Sequence, residues 1–313
     1  MSTTTGVGER FELRAGDTVA EVGTVAAVLC ALRVGDIDLT EPLSLDTAPP
    51  PFCSGIALAP WPNRVRDARW THDGVEQQLD VTDPSRGNAI HGLLRNTTYR
   101  IRERSDASVL LGATIHPQHG WPFLLDTWVR YALADDGLTV THGARNLGSA
   151  AAPWAVGAHP YFRAGDVAVE QLTLEVRGAH YLELDDRLVP VAVREVAPDS
   201  EFDLGSPRVL GDLDLNVGYQ DVATGPAGSA VLTAPDGRRT VVWQDAPYRW
   251  LQVFTPRDFP HVASDGSETP SLAVALEPMT AAPDALNSGD GLIWLEPGES
   301  WEASWGVRHE ENE

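Results

Sequence analysis

A chain of 313 residues with 45 acidic and 23 basic side chains carries a formal charge of −22 at pH 7. That field repels phosphate backbones and anionic membranes, so no nucleic-acid or membrane partner is expected. All 23 basic residues are arginines; without lysine the chain forms no Schiff base, anchors no pyridoxal phosphate and has no phosphate-loop lysine.

Apolar residues make up 42% of the chain, ample for a core, and no window approaches the roughly 18 uninterrupted apolar residues of a membrane span. The opening MSTTTGVGERFELRAGD lacks the basic-then-apolar layout of a secretory signal, which predicts a cytoplasmic location. There Cys30 and Cys53 are read as buried, reduced thiols.

In chain order, residues 1–15 are read as an N-terminal extension, 16–308 as a single domain and 309–313 as an acidic tail. LRVGDIDL (Leu32–Leu39) alternates weakly around a glycine, and the proline-dense DTAPPPF (Asp46–Phe52) is expected to cross a sheet edge. Phe123, Leu125, Val129, Tyr131 and Leu133 share one parity; ADDG follows, and Leu138, Val140, His142 and Ala144 then alternate again. This predicts a hairpin of two half-buried strands around an acidic–glycine turn. YLELDDRLVPV (Tyr181–Val191) is a weaker example, and VLTAPDGRRTVVW (Val231–Trp243) repeats the pattern around PDG. Twenty-eight glycines and 23 prolines spread along the chain suit many short strands and turns. The expected fold is all-β: one large antiparallel β-sandwich with few short helices.

Four segments break the strand rhythm. In LAPWPNRVRDARW (Leu58–Trp70), two prolines stiffen the approach to Asn63 and Arg64. The arginine is either a loop cap or a fork of donors for hydroxyl oxygens. In NAIHGLLRNTTYR (Asn88–Arg100), His91 precedes a glycine that permits close backbone approach; a structurally satisfied buried histidine is the alternative. In WAVGAHPYF (Trp154–Phe162), Pro160 biases His159 towards an extended backbone, and Trp154, Tyr161 and Phe162 are available as an apolar face. Glu277 follows SLAVAL and is read as standing at the end of a buried strand, where burial raises a carboxyl pKa.

Together, PNR (Pro62–Arg64), HGL (His91–Leu93), HPYF (His159–Phe162) and EPMTAAPDALNSG (Glu277–Gly289) resemble, in that order, the galactose mutarotase (aldose 1-epimerase) family, over about Gly16 to Trp305. The resemblance implies a galactose mutarotase-like supersandwich, with His159 as general acid, Glu277 as general base, and Arg64, His91 and Asn63 holding the sugar. It also implies a hexose as the small-molecule substrate, with no metal or organic cofactor. The family's aspartate has two possible registers in DLDLNVGYQDV (Asp212–Val222). Asn216 fits the spacing with an amide, whereas Asp214 keeps the carboxylate but misplaces the aromatic.

The expected activity is aldose 1-epimerisation. The alternatives within the fold are a hexose-6-phosphate 1-epimerase, for which Arg66, Arg69 and Arg95 are candidate phosphate partners, and a non-catalytic sugar-binding protein. A metal enzyme using His116 and His119, and a glycoside hydrolase needing a second carboxylate, fit less well. Monomer and homodimer both remain open.

Overall fold

The computed structural model describes residues 5–43, 49–262 and 267–311. Residues 1–4 of the expected extension, 46–48 of the proline-dense stretch and 312–313 of the tail lie outside the described residues. Among the described residues every strand pairing within the sheets is antiparallel, with one four-residue α-helix at Ala285–Ser288 and a few 3-10 turns.

A nine-stranded sheet forms one layer. Its order is Arg100–Arg104, Ser108–Ile115, Leu125–Ala134, Gly137–Asn146, Ser300–Glu310, Arg239–Gln244, Ala230–Thr233, Thr173–Val176 and Arg208–Val209. The ADDG hairpin closes at Ala134 opposite Gly137, and the PDG hairpin pairs Thr233 with Arg239. Period-2 alternation accounts for both: Leu125, Thr127, Val129, Tyr131, Leu138 and Val140 are buried, and Asp126, Trp128, Arg130, Thr139 and Thr141 on the other face are half-buried. Arg100–Arg104 forms the outer edge, and all five of its residues are exposed.

The second large sheet runs Pro190–Glu195, Gly178–Leu184, Asn216–Val222, Trp250–Phe254, Val274–Met279, Gly157–Ala158 and Ala57–Leu58, with Tyr161–Phe162 also pairing to Val274–Met279. A smaller four-stranded sheet contains Arg10–Ala15, Thr18–Gly23, Leu29–Val34 and Ile37–Asp38. Its first strand falls inside the stretch read as an extension. Phe11 and Leu13 are buried there and the strand is in full register with Thr18–Gly23. At the other end, Ser300–Glu310 carries the sheet into the stretch read as a tail, with Glu310 opposite Arg239.

One continuous core lies between the layers, built from aliphatic side chains and from Trp61, Trp70, Trp121, Trp154 and Trp305. Trp61, Trp70, Trp121 and Phe123 form a cluster of rings with centroids 5.2–6.1 Å apart, each pair adding to the area term of burial.

Candidate active site

The strand Val274–Met279 is buried along its whole length. Glu277 stands inside it rather than at its end, opposite Gln252 on one neighbour. On its other side the partner is interrupted: Tyr161–Phe162 pairs with Ala275 and Val274, and Gly157 pairs with Met279. His159 and Pro160 fill the gap between these two short strands. Proline has no N–H to offer a ladder, so the interruption falls where a proline is tolerated. His159 is pinned by its backbone, its N–H donating to the Ile56 carbonyl at 3.1 Å and its carbonyl accepting from Gly55 N–H at 2.8 Å. The imidazole therefore arrives beside Glu277 across 118 residues of sequence, with Nε2 3.4 Å from Oε1.

A cavity of about 270 Å³ opens over this pair, lined by Asn63, Arg64, His91, Asn216, Gln252 and the apolar side chains of Phe52, Ile90, Leu188 and Phe254, with Arg86 beside them. Asn63 and His91 both adopt left-handed backbone conformations, φ 53° and 61°, and His91 N–H donates to the Asn63 carbonyl at 2.9 Å. Such strain concentrates where a site over-determines its backbone. Gly92 follows at φ 74°, and a Cβ there would fall 2.0 Å from the Ala59 carbonyl oxygen; glycine alone permits this approach. Arg64 Nε donates to Asp83 Oδ2 at 2.9 Å, and Ser85 Oγ donates to Asp83 Oδ1, also at 2.9 Å. The His159 ring stacks on Tyr161 at 5.4 Å and meets the edge of His91 at 5.3 Å.

Burial sets the electrostatics. It pushes the Glu277 carboxyl up to about 8, against the pull of Arg64, and the His159 imidazole down to about 4, with Arg64 acting in the same direction. Burial also drives His91 well below the ordinary histidine range, helped by His159, Arg64 and Arg95. Between about 4 and 8 the pair holds one titrating proton.

Transfer of that proton from Glu277 to His159 is opposed by the burial of both groups and favoured by the attraction of the resulting charges across 3.4 Å. Nδ1 of His159 and Oε2 of Glu277 are buried with no hydrogen-bond partner among the described residues. A buried polar atom left in that state is costly unless something else satisfies it, and both belong to the pair at the cavity.

The family described as aldose 1-epimerase matches residues 9–308. This chain belongs to the aldose 1-epimerase family. It is 30% identical over 292 residues to an uncharacterized Escherichia coli (strain K12) protein, YihR, covering 93% of this chain and 90% of that one. It is 24% identical over 221 residues to the galactose mutarotase of Rattus norvegicus, covering 66% and 63%. Among solved structures, a GalM/aldose epimerase homologue from C. elegans superposes with TM-score 0.82 at 18% identity, over 97% of this chain and 99% of that one. A putative aldose 1-epimerase from Escherichia coli K12 superposes with TM-score 0.78 at 22% identity, over 97% and 99%.

The fold brings six of the seven site residues expected from the sequence to one cavity: Asn63, Arg64, His91, His159, Asn216 and Glu277. Asp214 is not among the lining residues. It precedes the strand Asn216–Val222, just after the 3-10 turn Leu210–Asp212, and is exposed. The amide register is the one that reaches the cavity, and Tyr219, buried, donates its hydroxyl to the Phe202 carbonyl.

Of the aromatic residues proposed as an apolar face, Tyr161 backs His159, whereas Trp154 and Phe162 pack into the core. Phe52 and Phe254 line the cavity in their place. Arg66 and Arg69 line a separate groove of about 350 Å³, and Arg95 does not reach the cavity lining. His116 and His119 are exposed.

Gln252 was not singled out from sequence. It is buried on the strand beside Glu277, and its Nε2 donates to Asn216 Oδ1 at 2.8 Å. That bond turns the Asn216 amide nitrogen towards other partners. The signal was weak: one glutamine inside WLQVF, a buried run where a polar residue needs a use.

Proposed function

We propose that this site interconverts the α and β anomers of a hexose, the activity the family description names. A pyranose opens when its ring oxygen gains a proton and its anomeric hydroxyl loses one. Both oxygens are attached to the same carbon, so a donor and an acceptor must both be within hydrogen-bond reach of that centre. In the charge-separated form of the pair, His159 protonates the ring oxygen and Glu277 accepts the hydroxyl proton. The aldehyde rotates about C1–C2 and recloses on the other face with the roles reversed. The observation that carries this reading is the Nε2–Oε1 approach of 3.4 Å at a cavity of about 270 Å³ with both polar and apolar walls. Concerted transfer from a one-proton pair avoids both a free alkoxide and a free oxocarbenium ion.

Arg64, Asn63, His91, Asn216 and Gln252 supply the hydrogen bonds that hold the hydroxyls. An unphosphorylated hexose fits better than a hexose 6-phosphate, because Arg66 and Arg69 face another groove and Arg66 is bonded to Asp185. The substrate is a small sugar. The test is polarimetry with α-glucose, α-galactose and glucose 6-phosphate, with Glu277→Gln and His159→Asn as companions. Each substitution is expected to lower the catalysed rate by about 10²–10⁴-fold in a folded protein. Near-normal rates in either variant would remove that residue from the mechanism.

A further inference from the structure

Leu188 lines the cavity with φ 56°, a left-handed conformation that a branched side chain such as leucine rarely adopts. It ends the turn between the strands Gly178–Leu184 and Pro190–Glu195. Within that turn, Asp185 Oδ1 accepts from Arg187 N–H and Val189 N–H, both at 3.0 Å, and Leu188 N–H donates to the Asp185 carbonyl at 3.0 Å.

The turn is also tied to the segments that carry the sugar-facing residues. Arg187 Nε donates to the Arg86 carbonyl at 2.8 Å and Nη1 to Asp67 Oδ1 at 2.7 Å. Its Nη2 donates to Asn88 Oδ1 at 3.0 Å and to the Gly87 carbonyl at 3.3 Å. Asn88 Nδ2 donates back to the Arg187 carbonyl at 3.1 Å, and Arg66 Nη1 holds Asp185 Oδ2 at 2.8 Å. Gly87 leaves room for the guanidinium: a Cβ there would sit 3.2 Å from Nη2. A planar fork bonding four groups on two segments fixes direction as well as distance.

From these contacts we infer that Arg187 is a positioning residue, which holds Leu188 in its strained conformation as the apolar wall against which the bound sugar ring rests. The wall part rests on the proposed epimerase reading; the clamp part does not. Leu188 sets substrate fit by contact with carbon–hydrogen surface, and Arg187, which does not line the cavity, acts only through it. The wall favours a ring face that presents carbon–hydrogen surface to Leu188, because burying an unpaired polar group against an apolar side chain is costly.

The test is a double-mutant cycle on KM and kcat with the hexose that turns over fastest, using Arg187→Ala, Leu188→Ala and the double variant. Leu188→Ala is expected to raise KM roughly three- to tenfold, more than it lowers kcat. Arg187→Ala is expected to raise KM at least as much, and the double variant to match the larger single effect, because an unheld leucine contributes nothing further to lose. Single effects that multiply in the double variant would overturn the coupling.

A second readout needs no substrate. In Arg187→Ala the Leu188 and Val189 amides should exchange with solvent at least tenfold faster, and unchanged exchange would overturn the clamp. If Arg187→Ala fails to fold, Asp67→Ala, which removes one of the four partners, should shift KM and exchange in the same direction by a smaller factor; no shift in either would count against the inference. A wild-type protein inactive on every sugar would remove the wall together with the epimerase reading, leaving exchange to decide the clamp.

Discussion

The pH profile of kcat/KM is the sharpest consequence of burying His159 and Glu277 together, because it reports the free enzyme's acid and base. In the proposed mechanism, activity requires one titrating proton on the pair. The acid limb falls when a second proton is added and the alkaline limb when the last is lost. Folded values of about 4 and about 8 give a plateau roughly four pH units wide, with limbs that belong to the pair rather than to either residue.

The ordinary values, 4.5 for the carboxyl and 6.5 for the imidazole, give a bell only two units wide. The two cases separate most clearly at pH 7.5. About three quarters of the molecules hold the single proton if the upper limb is at 8, and about a tenth if it is at 6.5. Initial polarimetric rates, extrapolated to zero buffer to remove spontaneous mutarotation, measure the difference. An alkaline limb near 6.5, or no limb between pH 5 and 10, would refute the argument that burial sets the proton count.

Stability gives an independent view of the same carboxyl. The folded chain keeps a proton on Glu277 that the unfolded chain releases from its ordinary 4.5 upwards. Wild-type stability therefore drops through that group between pH 4.5 and 8 and levels off above. Glu277→Gln removes this titration, so its stability relative to wild type should rise across the window by up to about 5 kcal/mol, read from urea midpoints at pH 4.5 and 8.5; a constant difference would show the carboxyl is not raised. Arg64→Ala leaves Asp83 without its Nε partner and should cost about 1–3 kcal/mol of stability, with KM rising more than the melting temperature alone accounts for. Gly92→Ala must place a methyl against the Ala59 carbonyl at φ 74°, and should cost at least about 1–3 kcal/mol, seen as a lower Tm.

Much of the fold was legible because strand periodicity and turn chemistry are local. The hairpins around Ala134–Gly137 and Pro235–Gly237 follow from alternation and a few turn residues. RFELRA alternates and forms the strand Arg10–Ala15, a pattern the reading of residues 1–15 as an extension did not use. The site was legible as four separated motifs, and six residues drawn from the resemblance meet in one cavity. Spacing favoured Asn216 and the expected carboxylate favoured Asp214, so the sequence left both open. They share a parity, and only the point at which the strand begins decides which one is presented. Gln252 and Leu188 escaped notice because each owes its place to strand order and turn geometry. Arg187 was equally silent, since four partners spread over residues 67 to 88 leave no trace in its own neighbourhood.

The interior position of Val274–Met279 makes the second large sheet depend on a late part of the chain. Two short neighbouring segments, Gly157–Phe162 and Trp250–Phe254, are made first, and each waits with an open flank until this strand slots between them. A polypeptide halted before residue 274 has His159 but neither Glu277 nor the ladder that seals those flanks, and such products should appear as sticky β-sheet.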